Sequence, residues 1–168
     1  MIDRRHAGAL PAKPHTVFRD DAGKLLYEEC LTRDGFDGPF TIMHHQGRPH
    51  AVVSLAPSHG WTLPEAVAPR RLTKRHYRSQ ALAAKPGAPV DVRVPLLFND
   101  DVILASLAPT SSDPVYFNNA DADDLYYIHE GGGILRSPLG DLAFAAGDYL
   151  GVPKGLLHRF VLPEGSGA

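Results

Sequence analysis

The chain lacks most of what would cross-link it, anchor it in a membrane or attract it to nucleic acid. Its 168 residues include one cysteine, Cys30, so no disulfide can form within the chain and a reducing compartment is expected. No segment approaches the roughly 18 consecutive apolar residues that span a bilayer, and no apolar stretch of the signal-peptide kind follows Met1–His6. The formal net charge of −2 gives no electrostatic reason to bind nucleic acid or anionic lipid. These absences predict a cytoplasmic protein with no membrane or nucleic-acid partner.

Glycine and proline are abundant instead, with 16 and 15 residues, and the apolar fraction of 43% is ordinary for a globular chain. Long periodic apolar segments are few, so the composition indicates short strands joined by turns, as in a sandwich or barrel. The predicted strands cover residues 24–31, 36–45, 51–55, 92–96, 102–107, 114–117, 125–129, 133–136, 141–144, 149–152 and 157–162.

Two regions differ in pattern but are expected to form one structural domain. Residues 1–89 combine an amino-terminal arm, a few strands and a proline-rich, basic connecting segment, whereas residues 90–168 carry regular short strands. The basic run at Arg70–Arg78 could bind an anion or nucleic acid. Because charge runs are usually solvated, a solvated strand or a subunit contact is the favoured interpretation.

The stretch Gly147–His158 predicts a strand, a tight turn and a second strand. Pro153 has no N–H for a ladder and suits a strand end, and Gly155 suits a turn position with positive φ. In the strand that follows, alternation places His158 and Phe160 on one face and Leu157, Arg159 and Val161 on the other.

These residues also fit G-x5-P-x-G-x2-H, the second signature of the cupins, and Asp123–Gly133 resembles the end of the first cupin signature. The resemblance implies an all-β fold: a cupin-type double-stranded β-helix, or jelly-roll barrel, with an N-terminal strand-rich arm. In metal-binding cupins the last residue of the second signature, here His158, is a metal ligand.

A wider pattern resembles the N-terminal half of bacterial homogentisate 1,2-dioxygenases. The segments that carry it are Lys13–Thr16 with Phe18, Leu26–Glu29, Gly35–Phe36 with Gly38, Leu97–Val102, and Pro114–Tyr116 with Asn118. That family cleaves a hydroquinone ring in tyrosine and phenylalanine catabolism with non-haem Fe(II), an oxidoreductase chemistry that incorporates O2. Its two histidines and one glutamate come from a C-terminal half, so the resemblance implies no catalytic residue and no bound iron in this chain alone. The implied partners are the C-terminal cupin half or other subunits of a homo-oligomer.

A vestigial metal site is the alternative for the chain itself. Asp124 falls where the first cupin signature has its glutamate, but its histidine positions fall on residues 117–120, which contain no histidine. His158 and Asp124 remain as candidate ligands that would need one imported residue. A second histidine group, His44, His45 and His50, could bind metal with Glu28 or Glu29, although the spacing matches no established ligand pattern.

Three hypotheses about function follow. The first, which the length of the resemblance favours, is a mainly structural and oligomerising half of a homogentisate dioxygenase-like enzyme. The second is a stand-alone cupin with a divergent metal site built on His158 and Asp124. The third is a non-enzymatic cupin that binds a small molecule in an apolar barrel mouth.

Overall fold

A computed structural model describes residues 17–32, 35, 37–38, 40–56, 62–67, 71–72, 74, 76–78, 82 and 85–164. Among these residues there are strands and no helix, so none that could cross a membrane. The predicted all-β class is confirmed. The chain divides into two compact units, Met1–Pro57 with Pro138–Gly140, and Ser58–Ser137 with Asp141–Ala168. The prediction that regions 1–89 and 90–168 form one domain stays a prediction.

The first unit contains an antiparallel ribbon of two strands, β1 (Tyr27–Thr32) and β2 (Phe40–His45). Glu28 lies opposite His44, and Glu29 lies opposite Met43. Because neighbouring residues of a strand point to opposite faces, Glu28 and His44 share one face, while Glu29 and His45 share the other.

In the described part of the second unit, seven strands form three separate hydrogen-bonded sheets: β3–β4, β5–β8 and β7–β6–β9. The strands are β3 (Val94–Phe98), β4 (Ile103–Ser106), β5 (Asp124–Tyr127), β6 (Gly132–Ser137), β7 (Gly140–Ala145), β8 (Tyr149–Val152) and β9 (Arg159–Val161). The β6–β7 pair is nested within the β5–β8 pair along the chain, which is the pairing order of a jelly roll. The described strands do not close into a barrel.

The core of the second unit comes from alternate positions of these strands, as half-buried sheets require. In β8, Leu150 and Val152 are buried while Tyr149 and Gly151 are exposed, and Phe160 is the buried residue of β9. The buried apolar residues are Ala88, Val92, Leu135, Phe144, Leu150, Val152, Leu156 and Phe160.

Asp113 ties two distant segments to this core. Its carboxylate accepts hydrogen bonds from the Val90 N–H at 3.0 Å and the Phe160 N–H at 2.8 Å, and its own N–H donates to the Phe160 carbonyl. The residue is 3% exposed. Buried polar groups are normally hydrogen-bonded, and this carboxylate accepts hydrogen bonds from two backbone N–H groups. It therefore holds the segments around Val90 and Phe160 together.

Two predicted strands are not found. Residues 51–56 are described without any strand, and Val53 is 97% exposed. Residues 114–117 form only one isolated bridge, from Phe117 to His158. In the basic run, Arg70, Thr73 and Arg75 lie outside the described residues, and the others are exposed and outside any strand.

Candidate functional site

His158 lies just before β9, with its side chain in the interior of the second unit. It is 2% exposed, and its backbone exchanges two 2.8 Å hydrogen bonds with Phe117. The ring Nδ1 is 2.9 Å from the Leu156 carbonyl, and the rings of Phe117 and Phe160 meet it edge-on at 5.8 and 6.0 Å. Since a carbonyl only accepts, Nδ1 carries the proton, and in the neutral ring Nε2 keeps the lone pair.

Asp124, at the start of β5, is held by three side chains. The Asn119 amide donates to Oδ1 at 3.1 Å, and the Tyr126 hydroxyl donates a long 3.4 Å bond to Oδ2. The Arg93 Nη1 lies 3.8 Å from Oδ1, which is ion-pair distance rather than hydrogen-bond distance. Residues of its own chain therefore balance the negative charge of the carboxylate and fix its orientation.

Arg93 is the cation of this cluster. Its side chain is 10% exposed, its Nη2 donates to the Tyr126 hydroxyl at 2.7 Å, and its guanidinium lies 5.5 Å from the Phe117 ring centroid. Burial of a guanidinium requires a carboxylate and further hydrogen bonds, and Asp124 and Tyr126 supply them. We call Arg93, Asn119, Asp124 and Tyr126 the arginine cluster.

Phe117 links the arginine cluster to His158, because its ring contacts both the guanidinium and the imidazole. Phe117 and Asn119 fall in the segment where the first cupin signature has its histidines. In place of histidines, this segment supplies the Phe117 ring, which packs on His158, and the Asn119 amide, which donates to Asp124. Sequence reasoning identified His158 and Asp124 but missed Arg93, for which no local signal exists.

The side chains near His158 and Asp124 do not supply the ligands of an Fe(II) centre, which are two histidines and one carboxylate. The described residues contain no group of three histidine, cysteine, aspartate or glutamate side chains that could hold a metal ion. Asp124 is paired with a guanidinium, and such a centre would also need a second imidazole. Whether His158 or Asp124 ever contacts a metal stays a prediction.

Each of the two histidines at the end of β2 lies beside a glutamate of β1, and the two histidines do not lie beside each other. His45 Nε2 lies 2.8 Å from Glu29 Oε2, and His44 Nε2 lies 3.4 Å from Glu28 Oε1 on the opposite face. The latter is an ion-pair distance without hydrogen-bond geometry. The predicted opposition of His44 and His45 is confirmed, and it separates them as ligands of one metal.

Burial is the main cause that raises the pKa of Tyr126 well above its ordinary value, with the negative charge and hydrogen bond of Asp124 adding to it and the Arg93 charge opposing it. The phenol of the unfolded chain has a pKa of about 10, so above that pH the unfolded chain loses this proton while the folded chain keeps it. Loss of the proton stabilises the unfolded state, and the free energy of unfolding therefore falls as the pH rises past about 10. We expect stability to fall steeply above that pH in the natural chain and less steeply in Tyr126→Phe. Urea unfolding at several alkaline pH values measures this, and equal slopes would contradict it.

Comparison with curated proteins finds a relative from Saccharolobus solfataricus whose name assigns it provisionally to the dioxygenases. The two are 31% identical over 160 residues, which make up 94% of this chain and 41% of the relative. The chain therefore spans about two fifths of the relative's length. No protein-family model matches the chain, and no solved structure gives a significant match.

Proposed function

We propose that this chain is the N-terminal cupin half of a homogentisate 1,2-dioxygenase-like, ring-cleaving Fe(II) enzyme of tyrosine catabolism. Its role there is structural: it folds against the catalytic part and holds subunits of a cytoplasmic homo-oligomer together. The similarity to a longer protein with a dioxygenase name supports the general class. The homogentisate substrate rests on the sequence resemblance described above.

The observation that carries the structural role is the arginine cluster. A ring-cleaving iron centre needs three protein ligands and open positions for substrate and O2. In this chain Asp124, the carboxylate at the glutamate position of the first cupin signature, is held by Arg93, Asn119 and Tyr126. We therefore assign the iron and the chemistry to the part of the protein outside this chain, which in the family supplies the two histidines and the glutamate.

Iron content and oxygen consumption test the proposal. The 168-residue chain is compared with the protein that its full reading frame encodes, each after loading with Fe(II) and removal of the excess. We expect the chain alone to retain well below one equivalent of iron and to consume no O2 with homogentisate. The full protein is expected to retain iron and to consume O2 with that substrate.

His158→Asn provides the matched variant, because an asparagine amide can still donate to the Leu156 carbonyl that the imidazole Nδ1 now contacts. We expect it to retain iron no differently from the natural chain. One equivalent of iron in the natural chain, lost in His158→Asn at unchanged thermal stability, would contradict the proposal and favour a stand-alone metal cupin. Iron-dependent O2 uptake by the full protein with other phenols but not homogentisate would overturn the substrate only.

A further inference from the structure

Two arginines lie directly opposite each other in the β7–β6–β9 sheet, where Arg136 of β6 pairs in register with Arg159 of β9. Their chain neighbours Leu135 and Phe160 are buried, so strand alternation turns both arginine side chains to the face away from the core. Like charges at directly opposed positions of an antiparallel pair destabilise it. Each of the two guanidiniums therefore needs an anion to balance it.

Arg136 has its anion on the neighbouring strand. Its Nε and Nη2 donate to the two carboxylate oxygens of Asp141 in β7, at 2.9 and 2.8 Å. A bidentate pair of this kind matches one guanidinium to one carboxylate. Asp141 therefore balances Arg136, and the positive charge of Arg159 is left over.

Arg159 is contacted by an aromatic ring instead. The Cζ of Arg159 lies over the Tyr116 ring, 5.8 Å from its centroid. An aromatic ring covers the flat face of a guanidinium, whereas the N–H groups point outward in the guanidinium plane and stay free to donate. The ring orients Arg159 but supplies no full negative charge. We call Asp141, Arg136, Arg159 and Tyr116 the outer row.

In the described part of the chain, no carboxylate lies within ion-pair distance of Arg159, and its guanidinium has no hydrogen-bond acceptor. The residue is half-buried, and its Nε is closed off from solvent without a partner. Of the three guanidinium nitrogens only Nε is closed off, so Nη1 and Nη2 can still be reached. A partly desolvated guanidinium without a counter-charge is costly, and an anion at the two Nη groups would offset that cost.

The charge of the outer row selects the kind of anion. Two guanidiniums and one carboxylate leave a surplus of one positive charge, which a singly charged carboxylate balances. A doubly charged phosphate would bring a second negative charge close to Asp141. A carboxylate also has the planar pair of oxygens that matches two parallel N–H groups of arginine.

We propose that Arg159 binds a carboxylate, which accepts hydrogen bonds from Nη1 and Nη2 while the Tyr116 ring covers the guanidinium face. The inference goes beyond the proposed function and does not depend on it. The carboxylate belongs to a small free acid or to a side chain of the protein outside this chain. A ligand of few atoms balanced by one surplus charge binds weakly, and we expect a dissociation constant of about 1–10 mM for acetate.

Two-dimensional NMR of the ¹⁵N-labelled chain tests the proposal by following the backbone amides of Tyr116 and of residue 159. Sodium acetate is titrated to about 100 mM against sodium chloride at constant ionic strength, so that screening stays the same throughout. We expect saturable shifts of both amides with acetate. Acetamide has the shape of acetate but no charge, and it should leave both amides in place.

Arg159→Lys separates a carboxylate site from simple charge attraction. Lysine keeps the positive charge but cannot present two parallel N–H groups in one plane, so the dissociation constant should rise at least about tenfold. Lys154→Gln is the matched control, because it removes an exposed positive charge of the same unit outside the outer row, and it should leave acetate binding unchanged. Should Arg159→Lys fail to fold, Tyr116→Leu removes the covering ring and is expected to weaken binding in the same direction.

The same titration of the protein that the full reading frame encodes identifies the source of the carboxylate. Binding of acetate by both proteins indicates a free acid, whereas binding by the chain alone indicates that the rest of the protein supplies the carboxylate. The proposal is overturned by a chain that shows no saturable shift, by equal shifts with acetamide, or by unchanged binding in Arg159→Lys. None of these results alters the iron and oxygen measurements, which decide the proposed function independently.

Discussion

Replacing Asp113 with alanine is expected to destabilise the second unit by about 3–5 kcal/mol, because one buried and one half-buried backbone N–H group lose their acceptor at once. The Val90 and Phe160 N–H groups now bind separate oxygens of the carboxylate, and the residue is 3% exposed. Water cannot easily replace the carboxylate at such a position. Urea unfolding followed by far-ultraviolet circular dichroism measures the loss.

Asp148→Ala is the matched control for Asp113→Ala. Its exposed carboxylate accepts one backbone hydrogen bond, from the Ala145 N–H at 2.8 Å, and its loss should cost about 1 kcal/mol. Should Asp113→Ala fail to fold, Asp113→Asn keeps one acceptor oxygen and is expected to fall between the natural chain and the alanine variant. Equal destabilisation by Asp113→Ala and Asp148→Ala would show that the buried carboxylate does not hold the two segments together.

Local features of the fold were predictable from the sequence because short-range chemistry decides them. The alternation after Leu157 placed His158 and Phe160 on the same face of the strand, and both are buried. The turn at Gly155 was predicted to need positive φ, and its φ is 80°. Steric freedom at glycine and the two-residue period of a strand act within a few residues, so no distant partner is needed to infer them.

The remaining features depend on partners far along the chain. Ala51–Leu55 has strong strand propensity, yet propensity forms no strand unless another segment supplies hydrogen bonds. Arg93 finds Tyr126 across 33 residues, and Asp113 finds Phe160 across 47. A single arginine or aspartate in the sequence gives no sign of which distant group it will meet. The arginine cluster was therefore invisible in the sequence, although one of its members, Asp124, had been identified for another role.

Arg93 and Asp124 are expected to show strong energetic coupling in a double-mutant cycle. Arg93→Met removes the cation beside a largely buried carboxylate, and Asp124→Leu removes the carboxylate beside a buried guanidinium, so each should cost about 3–5 kcal/mol. The side chains are 10% and 16% exposed, which limits screening by solvent. The double variant replaces the pair by apolar groups and should lose about 2 kcal/mol less than the sum of the two single losses, which is the coupling energy.

The Arg136–Asp141 pair of the β6–β7 hairpin is the control for this cycle, since its two hydrogen bonds of 2.9 and 2.8 Å are shorter but its side chains are 43% and 45% exposed. Solvent screening should make its coupling much weaker despite the better geometry. Coupling at Arg93–Asp124 no larger than at the control would mean that Arg93 does not hold the Asp124 carboxylate in place. Strong coupling would mean that the carboxylate serves the fold, because a ligand that recruited Asp124 would first have to displace the Arg93 guanidinium from it.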